Sequence, residues 1–335
     1  MERLIINSKA YYDLLVKPHF ADLNPKGEYP GTLGEFTIMD DVSSKRKIID
    51  ILGGGNILKR RDASCDIIYT PVAKAKTRTI EVDKIYGATK NCEEEFYIGC
   101  LEDFQNQSAT FRDYVLNWFK ALIKKDINSN AYFGNIERAD DPNGIWSWNV
   151  FDGVFKWYAR YITQGVIPAT QTSSIPSGTL PPTDCYNVIK WAYGNQNVLM
   201  RSLPVGLKAF YVSQSIADGY EDYLINVGGA NNIQYYTNGV PQLHYKQIPI
   251  LVEPTWNPIM SSLNGGVESH ACILTIRGNF TFATDKKYGG GPQGDQALKV
   301  WFNEDEETWK YLAKMKAGTQ IALPEHSVIG LTTIN

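Results

Sequence analysis

Between residues 45 and 90 the chain carries eleven basic residues (Lys45, Arg46, Lys47, Lys59, Arg60, Arg61, Lys74, Lys76, Arg78, Lys84, Lys90) against five acidic ones (Asp50, Asp62, Asp66, Glu81, Asp83). Two runs in this stretch, 65–70 and 77–84, are rich in β-branched residues. In the second, charged or polar positions alternate with apolar ones around Arg78, Ile80, Val82 and Lys84, and PVAKAK lies between the two runs. A strand that sits in a domain core needs a strongly apolar side, and neither run has one. The pair therefore reads as a long hairpin that projects from its own core, or more plainly as a solvent-exposed hairpin. The segment contributes +6 of a formal charge of -3, so the remainder of the chain sums to -9. Two readings of that asymmetry stay open: a basic arm laid on the acidic body of another copy, or charge balance within one chain.

Residues 1–45 mix short apolar pieces with Pro18, Pro25, Gly27, Pro30, Gly31 and Gly34 and read as an arm. After the acidic stretch NCEEEFYIGCLEDF comes the strongest helical period in the sequence. Phe111, Tyr114, Val115, Trp118, Phe119, Leu122 and Ile123 recur at helical spacing, with Ser108 placed to cap and Lys124 and Lys125 suited to the C-terminal end. Such a stripe predicts core packing. A second helix is expected over 150–162. The Pro-, Ser- and Thr-rich segment 165–183 reads as a loop or inter-domain crossing. Asp184 is placed to cap a helix closed by Gly194, 207–212 is a buried strand, and Ser213 is placed to cap a helix that stops at Gly228 and Gly229. Strands are expected at 271–276, 279–283, 297–302, 319–323 and 327–333, with a helix over 305–315. Helices and strands are interspersed without regular βαβ alternation, which makes the fold class α+β.

The chemistry-bearing residues are sparse. The four histidines form no HxH, HExxH or HxxxH pair, so no metal site is expected. GGGPQG at 289–294 satisfies GxGxxG in form, but a strand follows it where a dinucleotide loop would open a helix, and Pro292 removes an amide. GGGN at 53–56 lacks the P-loop lysine, and no GxSxG elbow occurs. Acidic clusters at 93–95 and 304–307 read as solvated faces or helix starts. In GVPQLHYKQIPILVEPTWNP, His244 and Glu253 stand about 30 Å apart in extended chain and cannot cooperate without a sharp reversal. Pro249 points to an edge or bulge, and Pro254 with Pro258 ends the strand. No catalytic residue, cofactor or metal is expected. Five scattered cysteines without a CxxC pair fit reduced thiols, and neither an export signal nor a membrane span is read from the sequence.

The order of these parts resembles the major capsid protein of tailed bacteriophages, a fold shared with encapsulin shells. The matching features are the arm, the basic hairpin, ATFRDYVLNWFKALIKKD followed by NAYFGN, then LKAFYVSQSIADGYEDYL and HYKQIPILVEP, and the C-terminal strands. Tyr245, Ile248, Pro249, Ile250 and Leu251 follow a strand pattern of that family, with Gln247 where glycine is common. The resemblance implies an N-terminal arm (1–49), an E-loop hairpin (50–90) and a peripheral domain with a spine helix (91–165). It further implies an axial domain (166–265), a return through peripheral strands (266–323) and a final axial strand (324–335). It implies a non-enzymatic subunit forming hexamers and pentamers of an icosahedral shell around packaged double-stranded DNA. Its partners would be copies of itself, with portal, scaffold and decoration proteins, no membrane, and only weak contact with the DNA. Such a subunit assembles in the host bacterial cytoplasm and resides in the virion. Lys74, Lys76 and Arg78 are the expected inter-subunit contacts. Other self-assembling shell or tail proteins are the nearest alternative. A carbohydrate-binding or enzymatic protein using the 20 tyrosines and eight tryptophans is a more distant one.

Overall fold

The computed structural model describes residues 4–6, 36–39, 42–53, 73–92, 108–139, 148–228, 243–285 and 298–332. Its strands form two six-stranded sheets and one two-stranded ribbon. The first sheet is built on the 14-residue strand β13 (Thr308–Ile321). Around it lie β1 (Leu4–Ile6), β2 (Thr37–Met39), β5 (Asp83–Cys92), β11 (Phe280–Thr284) and β12 (Leu298–Asn303). The second, mixed sheet has the order β6 (Thr172–Ser174), β14 (Ser327–Leu331), β10 (Ala271–Ile276), β7 (Lys208–Ser213), β9 (Ile248–Glu253), β8 (His244–Tyr245). The ribbon pairs β3 (Lys45–Gly53) with β4 (Ala73–Glu81). The helices are α1 (Ser108–Phe133), α2 (Val154–Thr163), α3 (Pro182–Gly194), α4 (Val198–Ser202), α5 (Gln214–Gly228) and α6 (Trp256–Leu263).

The mixed sheet is covered on both faces, and its sequence shows why. Side chains alternate across a strand. Phe210, Val212, Ile250, Cys272, Leu274 and Val328 join a buried cluster with Ile189 of α3 and Ile216 and Tyr220 of α5. Ala209, Tyr211, Leu251, Ala271, Ile273 and Ile329 join a second cluster. That cluster also holds Phe119, Ile127 and Tyr132 of α1, Tyr158 of α2, Trp256 of α6, and Phe280, Tyr311 and Met315 of the first sheet. Strands buried on two faces need near-continuous apolar runs, and all six residues of β7 are buried.

Two short crossings, at 276–280 and 321–327, carry the chain between the sheets, and Asn279 holds them together. Its side-chain nitrogen donates to Thr275 Oγ1 (2.7 Å) and the Leu323 carbonyl (3.0 Å), and its Oδ1 accepts the Leu323 amide (2.6 Å). Its backbone carbonyl accepts the Ala322 amide at 3.0 Å. Ser327 Oγ lies 3.0 Å from Thr275 Oγ1 and 3.0 Å from the Tyr158 hydroxyl, extending the buried network into α2.

Several expectations are corrected. The helix expected over 305–315 is strand: Tyr311, Ala313, Met315 and Ala317 are buried at alternate positions between ladders to β12 and β5. The acidic cluster at 304–307 is the turn that leads into it, with Glu307 at φ 49°. In α1 the buried line is Phe119, Ile123, Ile127 and Ala131, while Trp118 and Leu122, counted in the core stripe, are exposed. Helix α3 starts with Pro182 at its first position, and Asp184 sits in its first turn instead of capping it. Ser213 ends β7 and stands directly before α5, where it was expected, and its hydroxyl accepts the Ala271 amide. The segment 165–183 contributes the short edge strand β6. Strand β10 lies in the mixed sheet, so the sheets divide near Asn279, not at 266. The strand paired with β4 among the described residues is 45–53; the expected strand at 65–70 lies outside the described residues, as do 93–95 and 289–294. Pro258 lies within α6, a helix the sequence reading missed.

Candidate functional site

The β3–β4 ribbon belongs to neither six-stranded sheet. Strands β3 and β4 pair from Lys45↔Glu81 to Gly53↔Ala73, and among the described residues no third strand joins them. A two-stranded ribbon in water is marginal on its own. This one is fixed at its foot. Ile80 is fully buried and packs with Val42 and Ala283. The Val82 amide donates to the Ser44 carbonyl at 3.0 Å, and the Val42 amide to the Thr284 carbonyl at 3.0 Å. Lys316 Nζ donates to the Ser43 carbonyl (2.6 Å) and pairs with Asp285 (2.9 Å).

Polar contacts to the end of β13, to the segment 322–325 after it and to α2 complete the anchorage. Arg78 pairs with Glu325 at 2.8 Å, donates to the Ala322 carbonyl at 3.2 Å, and lies over the Tyr161 ring with its guanidinium carbon 5.5 Å from the centroid. Gln320 donates to the Thr79 carbonyl (3.0 Å) and accepts from the Tyr161 hydroxyl (2.7 Å). Burial raises the Tyr161 hydroxyl pKa, which keeps it a proton donor. At Gly318 the ribbon's exit crosses β13 so closely that a Cβ would stand 1.9 Å from the Glu81 carbonyl oxygen. Only glycine tolerates that approach. A glycine inside a strand pattern marks close passage of another backbone, and that was the signal by which sequence could have found this anchor.

Of the three expected contact residues, Lys74 and Lys76 lie on β4 toward the end of the ribbon away from the foot, and their side chains are outside the described residues. Arg78 is at the foot, engaged with Glu325 of its own chain.

The stretch that first suggested chemistry is structural. A sharp reversal does occur, at Lys246 (φ 47°) and Gln247 (φ 67°), but it sets His244 opposite Pro249. Glu253 lies four residues further, about 13 Å along the strand. Its carboxylate is fully buried and accepts a 2.9 Å hydrogen bond from Tyr132. The tyrosines of this half stack on one another: Tyr186 on Tyr223 at 4.3 Å, and Tyr245 edge-on to Tyr186, Tyr193 and Tyr220. Burial pushes the hydroxyls of Tyr220 and Tyr245 up to about 12. Rings used in this way offer no open platform to a sugar. Among the described residues no cluster of three or more metal-ligating side chains occurs, and no helix is long and apolar enough to cross a membrane.

No protein-family model matches the sequence, and no curated protein matches it. Solved structures do. A chain of the satellite phage P4 procapsid including the size determination (Sid) protein aligns at 12% identity and a TM-score of 0.55, covering 89% of this chain and 93% of that one. A chain of Mycobacterium phage Adephagia aligns at 12% identity with a TM-score of 0.51, covering 93% and 92%. A chain from the capsid of Myoviridae phage XM1 aligns at 9% identity with a TM-score of 0.50, covering 90% of each. At such identities the likeness is one of fold, and the fold is that of tailed-phage capsid subunits.

Proposed function

We propose that this chain is a major capsid subunit, which assembles as hexamers and pentamers into an icosahedral shell around packaged double-stranded DNA. The observation that carries the reading is the β3–β4 ribbon. It is clamped at its foot to a body of capsid fold and has no third strand among the described residues, so a neighbouring copy supplies its cover. Exposed Tyr86, Trp118 and Leu122 on β5 and α1 are surface of the kind that a second copy covers. The subunit performs no catalysis. It assembles in the host cytoplasm, resides in the virion, and meets portal, scaffold and decoration proteins there.

Reversing Lys74 and Lys76 to Glu tests the basic ribbon. The expected result is a folded subunit that no longer forms particles by electron microscopy and size-exclusion with mass measurement. Normal shells from that variant remove these lysines from the interface. Arg78 is kept out of this variant, because its loss also releases Glu325 within the subunit. A wild-type chain that stays monomeric at every concentration, in the presence of co-expressed phage assembly factors, sinks the shell reading. Particles that form but enclose no DNA in infected cells move it to an encapsulin-like compartment.

A further inference from the structure

Beside the tyrosine cluster a cavity of about 520 Å³ opens between α3, α4, β7 and the turn after β8. Among the described residues its charged side chains are Lys190, Arg201, Lys208 and Lys246, and no carboxylate lines it. Among the described residues none of these four has an acidic group within ion-pair distance. Four cations gathered without a counter-charge repel one another, and in a chain of net charge -3 such a gathering calls for an anion.

Lys208 is the decisive member. Its residue is only 3% exposed, yet its ammonium has a single neutral partner, Gln196 Oε1 at 3.2 Å. Gln196 is held in that orientation because its amide nitrogen donates to the Tyr193 carbonyl at 2.8 Å. An ammonium has three donors, so two remain to be satisfied. Burial lowers the Lys208 pKa, as desolvation without a compensating charge must.

The other cations are placed by the local fold. The left-handed backbone at Lys246 sets its ammonium 4.5 Å from the centroid of the Tyr193 ring and 5.8 Å from that of Tyr245. Arg201 donates to the Gly194 carbonyl at the end of α3, a contact that uses part of its five-donor guanidinium. Lys190 lies on α3 over Tyr186 at 5.6 Å.

We infer that this cavity binds a phosphate-bearing small anion, with Lys208 at its floor and Lys190, Arg201 and Lys246 around its mouth. A carboxylate brings one negative charge and two oxygens. A phosphate brings about -1.5 to -2 and three acceptor oxygens, and a di- or triphosphate matches four cations better still. The volume is that of a small-ligand site. A duplex presents its phosphates on a convex backbone and cannot seat one on a buried ammonium. This assignment does not depend on the shell reading.

Isothermal titration of the full-length chain with sodium tripolyphosphate, at constant ionic strength, is the test. Wild-type protein is expected to bind one equivalent, and Lys208→Met and Lys246→Ala each to weaken binding at least tenfold. Lys246 is exposed, so its variant keeps the test decisive should Lys208→Met fail to fold. A nucleoside triphosphate that binds no better than tripolyphosphate assigns the site to free polyphosphate, and one that binds more tightly assigns it to a nucleotide. Absence of binding by the wild type, or equal binding by wild type and Lys246→Ala, overturns the inference. So does preferential binding of a short DNA duplex, or of a peptide copying the acidic turn at 304–307, which would give the charge to the nucleic acid or to a second copy.

Discussion

The mixed sheet and the β3–β4 ribbon are both ladders of extended chain, and they differ in what covers them. In the sheet, β7 is buried at every position, and helices or the other sheet lie against both faces. In the ribbon, Lys45, Arg46, Thr79 and Glu81 are exposed, and Ile80 is the side chain fully buried at its foot. The sheet is stabilised by its own chain. The described contacts that hold the ribbon lie at one end of it. The same backbone geometry is thus covered on both faces in one place and carries exposed positions at its foot in the other.

The contrast can be broken most severely at the ribbon's crossing point. Gly318→Val puts a side chain where Glu81 and Val82 pass, and should cost on the order of 4 kcal/mol in thermal or urea unfolding, with loss of assembly. Wild-type stability in this variant would mean that the ribbon does not cross β13 there. Next in size is Asn279→Ala inside the body. It strands the Leu323 amide and takes a donor from Thr275 Oγ1 and from the Leu323 carbonyl, so a loss of about 3 kcal/mol is expected. That loss should appear in the subunit before assembly, which separates body from ribbon.

A double-mutant cycle of Arg78→Ala and Glu325→Ala should give a coupling of about 1 kcal/mol, because both side chains are partly exposed and the pair is partly screened. Zero coupling would remove the ion pair from the anchorage and leave it to Ile80 and Gln320. The smallest effect runs the other way. Gln247→Gly relieves a left-handed backbone position in the β8–β9 turn and should stabilise the body by about 0.5 to 1 kcal/mol, read as a raised unfolding midpoint. A loss of stability would show that the Gln247 side chain contributes more than its backbone costs.

What could be read in the sequence follows the same divide. Strand β7, strand β10 and helices α3 and α5 were legible because their apolar periods match the faces they bury, whereas α1 was legible as a helix but buries a line shifted from the expected stripe. The hairpin was legible in its second strand, since the run 77–84 overlaps β4, while 45–53 carried no signal that marked it as the partner. Strand β13 was not legible. Its run TWKYLAKMKAG has good helix formers, and Glu306 and Lys310 do pair at 2.8 Å with helical spacing, but they do so across the turn into the strand. Two flanking ladders override local propensity there, and no window of sequence contains them. The anchors Glu325 and Gln320 were invisible for a related reason: they lie some 240 residues from the ribbon they hold.

The register at the ribbon's foot has a mechanical consequence. Thr79 meets Gln320, Glu81 meets Gly318, and from Asp83↔Ala317 to Cys92↔Thr308 the chain continues antiparallel along β13 for ten paired residues. The ribbon therefore extends in line with the ladder that follows it. Tension applied along the ribbon acts parallel to β13 and loads the hydrogen bonds of β5 together, because those bonds run across the strands. Tension across it would open them one by one. The anchorage therefore resists a pull along the ribbon more strongly than a pull that peels it from β13.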